Sequence, residues 1–293
     1  MDVTQHQINA GDWTLFASEY PAVGAMRGVV VIGHAVGCNR RTLDRPRGQG
    51  LASTLAQAGL HVYTFDVRAH GESIPRPADG GHWRYDDILN DVEAVVTWVH
   101  DRHPDARLGF LGHSLTGHAA LLWVGQNPDA PVSALVLYST NLWLPQFEPR
   151  RGRWLKKRAT LAAWALLAWP MGYLPMRRLR MGTDDVPAEF VRDFRRFAKS
   201  GKCQRTSDGV DYLEGLATVK QPVRAYVGEK DRFLCTLEGC EAFLEPVPDH
   251  TVETVPGADH MSVVTRESSR PLWEETAEFF CRELGGSDAD ADA

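Results

Sequence analysis

Short apolar runs, each followed by a stretch with helical patterning, limit what this chain can fold into. GVVVIGH (28–34), HVYTFDV (61–67), RLGFLGH (107–113), ALVLYST (134–140) and VRAYVG (223–228) are continuous rather than alternating. Continuous runs of this length are what strands buried on both faces look like. Between them lie LASTLAQAG (51–59), DILNDVEAVVTWVHDRH (87–103) and the segment after residue 114. The alternation predicts βαβ units, and so an α/β fold: a mostly parallel central sheet with helices on both faces. The first 26 residues, around WTLFASEY, predict an antiparallel edge hairpin instead.

The alternation stops after Thr140. Residues 141–215 contain no strand-like run and hold Trp143, Trp154, Trp164 and Trp169. They also carry 15 Lys and Arg against 8 Asp and Glu, in a chain whose net charge is -6. Regular patterning resumes at VRAYVG and runs through TVETVPG to SSRPLWEETAEFFCREL. The expected organisation is therefore an α/β core over 1–140 and 216–284, a helical insertion over 141–215, and an acidic, disordered tail over 285–293. The basic residues of the insertion come with no recognisable nucleic-acid motif, so no nucleic-acid partner is expected. Five scattered cysteines form no C-x-x-C pair and no His–Cys cluster, which predicts free thiols and neither metal nor cofactor. MDVTQHQINAGDW has no basic n-region and no apolar h-region, which together with the thiols predicts a cytoplasmic location.

The chemistry turns on LGFLGHSLTGHAA (108–120). A nucleophile elbow reads G-x-S-x-G; here Gly112, His113 and Ser114 fit, but Leu115 and Thr116 precede Gly117. Ser114 is either an exposed nucleophile or the N-cap of an ordinary helix. Acyl transfer by serine also needs a base, a carboxylate to orient it, and donors for the oxyanion, all from loops at the carboxyl ends of strands. Asp231 follows VRAYVG, His260 follows TVETVPG, and His34-Ala35-Val36-Gly37 follows the first apolar run. Glu229 and Asp259 are rival acids. His34 is expected to hold its loop by hydrogen bonds, and Cys38 to be a small buried residue rather than a nucleophile.

The order Ser…Asp…His resembles that of the α/β-hydrolase superfamily, and the resemblance covers essentially the whole chain. FDVRAHGES (65–73) is similar to that superfamily's F-D-x-R-G-H-G-x-S segment, with Ala69 in place of a glycine. The chain also resembles a bacterial group with an H-A-x-G oxyanion loop and a helical cap, the matching cap stretch being GYLP…LRMGTDDVPAEF. The resemblance implies a Ser114–His260–Asp231 triad with an acyl-enzyme intermediate. It also implies an oxyanion hole from the N–H groups of Leu115 and Val36, with Ala35 as the alternative loop donor. Three departures stand out. Thr116 stands where a glycine lets the helix approach the strand, so either helix and strand move apart or Gly117 takes over the close contact. Ala35 replaces a loop glycine and restricts the backbone. Ala69 is remote from the proton transfers.

RGRWLKKRATLAAWALLAWPMGYLP (151–175) joins a basic cluster to an apolar run too short to span a membrane. Its expected role is a cap over the site, with Trp164 and Trp169 as apolar wall for the acyl group. The alternatives are contact with an anionic membrane surface and an oligomer contact. The basic run 192–202 predicts a solvated helix face. The expected function is cleavage of a small-molecule ester, thioester or amide by a carboxylesterase- or lipase-like enzyme. The alternatives are a peptidase or acyltransferase with the same triad, or a non-catalytic binder on the same fold. A serine nucleophile excludes the dehalogenase and epoxide-hydrolase mechanisms, which need a carboxylate.

Overall fold

The computed structural model describes residues 2–285, so the expected tail lies, from residue 286 on, outside the described residues. Strands β1 (Thr4–Ala10) and β2 (Trp13–Tyr20) form the predicted antiparallel hairpin. There follow β3 (Val29–Gly33), α1 (Leu51–Gln57), β4 (His61–Asp66), α2 (Tyr85–Arg102), β5 (Leu108–His113), α3 (Leu115–Gln126) and β6 (Ala134–Tyr138). The insertion contributes α4 (Arg151–Ala168), β7 (Tyr173–Leu174), β8 (Val186–Pro187) and α5 (Ala188–Ser200). The core resumes with β9 (Val223–Gly228), α6 (Leu237–Leu244), β10 (His250–Val255), α7 (Ser262–Thr265) and α8 (Arg270–Leu284).

Eight strands make one sheet in the order β1-β2-β4-β3-β5-β6-β9-β10. The β1–β2 and β2–β4 pairs are antiparallel; every pair from β4 to β10 is parallel. The continuous apolar runs follow from burial on both faces. Val29 and Val31 pack into one core with α2 and α3, while Val30 and Ile32 pack into a second with α1 and α8. Each such side chain contributes about 1.5–3 kcal/mol on leaving water, so alternation has no polar face to report.

The insertion departs from expectation in two places. β7 and β8 pair as a separate two-stranded antiparallel ribbon where no strand was predicted. They are two residues each, too short to leave a periodic signal. The basic run 192–202 is solvated on only one side of α5, because Phe197 and Asp193 are buried and Phe194 lines the cavity described below. Among the described residues no helix is long and apolar enough to cross a membrane.

Candidate active site

Ser114 stands at the turn from β5 into α3 with φ 53° and ψ -106°, a region that costs a non-glycine residue roughly 1–3 kcal/mol. Its N–H donates to the Tyr138 carbonyl of β6 at 2.9 Å, which pins the turn to the sheet. The side chain makes no capping bond to α3, so the reading of Ser114 as an ordinary N-cap fails.

The displaced glycine finds its explanation here. Gly33 and Gly112 are register partners on β3 and β5. A Cβ on Gly112 would lie 2.2 Å from the Gly117 Cα, so Gly117 carries the close approach of helix to strand. A Cβ on Gly33 would lie 2.6 Å from the Thr116 Cβ. Thr116 therefore fills the space that a bare glycine on the neighbouring strand leaves open. Of the other two departures, Ala35 needs no left-handed backbone, whereas Ala69 adopts φ 60°.

His260 lies in the loop after β10, and its Nδ1 donates to Asp231 Oδ2 at 2.5 Å. Asp231, buried after β9, also accepts from the N–H groups of Leu234 (3.0 Å) and Cys235 (3.1 Å). The rival acids are engaged elsewhere. Glu229 is exposed and accepts from the Gly257 N–H at 2.8 Å, and Asp259 accepts from the N–H groups of Met261 and Ser262 at the start of α7. His113, beside the serine, donates from Nε2 to the His260 carbonyl at 2.8 Å. Burial, and then the neighbouring His260, push the His113 pKa down to about 3, so its ring stays neutral.

The loop after β3 is held from both sides. His34 donates from Nδ1 to the Ala35 carbonyl (2.8 Å) and accepts at Nε2 from the Val67 N–H (3.1 Å). His70 donates from Nδ1 to the Arg68 carbonyl (2.9 Å) and accepts at Nε2 from the Gly37 N–H (3.2 Å). Burial takes both pKa values down to about 4, which keeps each Nε2 free to accept. From the insertion, the Thr183 and Asp184 N–H groups donate to the Gly37 carbonyl at 2.7 and 3.0 Å. The Asp184 carboxylate accepts from Asn39 Nδ2 (2.7 Å) and from the Gly71 N–H (3.0 Å). Burial alone would raise the Asp184 pKa, but His70 and these donors hold it below the usual carboxylate range. Among the described residues no acceptor engages the N–H of Val36 or of Leu115.

Ser114, His260, Val36, Leu115 and Ala35 border one cavity of about 190 Å³. Its remaining wall comes largely from the insertion and is apolar, with Trp164, Met176, Met181, Phe190 and Phe194. Cys38 borders it too, its thiol pushed up to about 12 by burial and so held neutral. Trp164 stands in this wall, stacked on Trp143 with centroids 5.8 Å apart. Trp169 does not: it is 81% exposed beyond the end of α4. Five residues at about 100° each carry it roughly 140° around the axis from Trp164, so the two cannot share a wall. Phe190, Phe194 and His118 are not expected at the site from the sequence, which offers Trp143 only as one of the insertion's tryptophans. Only His118 left a signal there, being one helical turn after Ser114.

This geometry, on a sheet of this order, is that of a serine hydrolase of the α/β-hydrolase fold. More narrowly, the chain belongs to the family described as serine aminopeptidase, S33, whose model matches residues 24–267. Among curated proteins none matches the chain. Among solved structures it is similar to a soluble variant of monoglyceride lipase from Saccharomyces cerevisiae in complex with a substrate analog. That likeness has TM-score 0.72 and 17% identity, over 95% of each chain. It is also similar to the monoacylglycerol lipase of Paleococcus ferrophilus, with TM-score 0.63 and 18% identity over 92% of this chain and 99% of that one. A third is Est1E from Butyrivibrio proteoclasticus with ferulic acid bound, with TM-score 0.64 and 15% identity over 95% and 98%. At these identities the likeness speaks for the fold.

Proposed function

We propose that the protein hydrolyses esters of small to medium apolar acyl groups, with Ser114 as nucleophile, His260 as base and Asp231 as the group that orients it. The observation that carries this reading is the His260–Asp231 hydrogen bond at the edge of the cavity that also receives the uncapped Ser114 side chain. His260 Nε2 takes the serine proton as Oγ attacks the ester carbonyl, and the N–H groups of Leu115 and Val36 receive the oxyanion. Collapse passes that proton to the leaving alcohol and leaves an acyl-enzyme. Water, deprotonated by His260, then releases the acid. No metal or cofactor enters the scheme.

The insertion acts as a cap whose aromatic and methionine side chains take the acyl group, and 190 Å³ suits a short chain. Two lipase structures among the similar ones agree with an ester substrate. The exposed Leu166 and Trp169 at the C-terminal end of α4, a helix whose first half is basic, favour contact of this cap with an anionic membrane surface. A cytoplasmic location accords with five free, buried cysteines.

A fluorophosphonate probe tests the reading directly. It labels Ser114, and Ser114→Ala abolishes labelling and lowers turnover of p-nitrophenyl esters by about 10⁶-fold. Labelling that survives the substitution removes Ser114 from the mechanism.

A further inference from the structure

His118 is the odd member of the cavity wall. It sits on α3 four residues after Ser114, so it borders the same cavity about 6 Å further along the helix axis. The residue is 4% exposed, and that exposed sliver opens on the cavity. An apolar side chain would fit such a wall without desolvating a polar group, so an imidazole here needs a reason.

The hydrogen bonding decides which atom the ring offers. His118 Nδ1 lies 2.6 Å from the Tyr85 hydroxyl of α2. Tyr85 is fully buried, and among the described residues its hydroxyl has no other partner. Were Nδ1 the donor, the phenolic hydrogen would be left buried and unpaired, at about 1–3 kcal/mol. The phenol therefore donates to Nδ1, and the ring proton sits on Nε2. Burial takes the His118 pKa down to about 3 and pushes that of Tyr85 well up, so neither group changes charge near neutral pH. Nε2–H has no acceptor among the described residues. Asn141 also borders the cavity and its Nδ2 likewise lacks a partner among the described residues, but that atom is fully buried against Gly239, where a Cβ would lie 2.7 Å away, and presents no surface to the cavity.

We infer that His118, held by Tyr85 in the Nε2–H form, is a specificity-determining donor that selects esters carrying an oxygen acceptor about 6 Å from the reacting carbonyl. That distance corresponds to roughly four to five bonds of a chain, and fits a carbonyl, ether or hydroxyl oxygen. The inference rests on the ester-hydrolase reading for its reaction, but not for its binding preference. A fixed donor in an otherwise apolar pocket discriminates because a substrate without the oxygen leaves the donor unpaired.

Two matched pairs of substrates locate the oxygen. p-Nitrophenyl 5-oxohexanoate against the hexanoate tests the acyl side, and 3-methoxypropyl hexanoate against pentyl hexanoate tests the alcohol side. One pair shows a preference in kcat/KM for the oxygenated member of about tenfold or more. In Tyr85→Phe/His118→Leu, which removes both partners and leaves neither orphaned, that ratio falls to within about twofold of one. His118→Gln, which keeps a side-chain N–H, holds part of the preference and guards against loss of folding in the double variant. Calorimetric binding of the same unactivated alkyl esters and of methyl 5-oxohexanoate against methyl hexanoate, on Ser114→Ala, separates the two readings. A binding preference without turnover in the parent leaves the inference standing and sinks the hydrolase. No preference in either pair, or one unchanged in the double variant, overturns the inference.

Discussion

Gly117 backs onto Gly112 so closely that a Cβ on Gly112 would lie 2.2 Å from the Gly117 Cα, while Thr116 occupies the space above Gly33. The nucleophile turn is thus built from two adjacent contacts shared between β3 and β5. Gly33→Ala forces a clash with buried Thr116 and destabilises the fold by about 1–3 kcal/mol. Thr116→Gly opens a void but vacates that site, so the double variant is more stable than Gly33→Ala alone. Denaturant titration of the four proteins measures the coupling; strict additivity refutes the arrangement. Thr116→Gly keeps turnover within about tenfold of the parent, a change worth about 1.4 kcal/mol. Gly117→Val, whose Cβ would lie 2.2 Å from Thr140 Oγ1, loses far more.

Asp231 and Glu229 are two residues apart and have opposite surroundings. Asp231→Asn leaves the fold intact and lowers turnover by about 10⁴-fold, because the tautomer of His260 is no longer enforced. Glu229→Gln, on the exposed side of the Gly257 turn, changes turnover by less than about threefold. The reverse ranking, with both variants folded, would show that the acid is misassigned.

Stability falls on acidification. His34 and His70 titrate at about 4 and His113 and His118 at about 3 in the fold, against an ordinary value of 6.5, with burial as the main cause in each. Unfolded, all four take up protons as soon as pH drops through about 6.5, whereas the native rings stay neutral until pH 4–3. The stability they contribute is complete above about pH 6.5 and is lost as pH falls through the native values. Buried Asp66 and Asp91, raised by desolvation, offset part of this. Melting curves at pH 7, 6 and 5 show a Tm that declines at each step. A Tm flat to pH 5 contradicts the neutral buried histidines.

Trp164 and Trp169 separate cleanly. Trp164→Ala enlarges the cavity and shifts preference toward longer or bulkier p-nitrophenyl esters, with KM for the butyrate rising severalfold. Trp169→Ala leaves soluble-ester kinetics within about twofold and lowers sedimentation with anionic liposomes. Equal kinetic damage from both would place Trp169 at the site after all.

The sequence by itself determined the sheet and the order of the chemistry. Five continuous apolar runs were legible as doubly buried strands because both faces of a parallel sheet exclude water. Ser114 and Asp231 were legible because each follows such a run, and His260 because it follows the patterned TVETVPG segment; loops at strand ends are where a parallel sheet exposes side chains. Only the tertiary structure set Asp231, rather than Glu229 or Asp259, against His260, since all three carboxylates lie close to a strand end in sequence and differ in burial and in the groups that reach them. It also showed why Thr116 is tolerated: the compensating residue, Gly33, lies on another strand 83 positions away, beyond any local pattern. The same holds for Trp169 and His118. A helix without a clean amphipathic stripe, such as α4, does not disclose its inward face until its neighbours are packed against it, and a lone imidazole becomes a fixed donor only once a tyrosine from another helix has taken its other nitrogen.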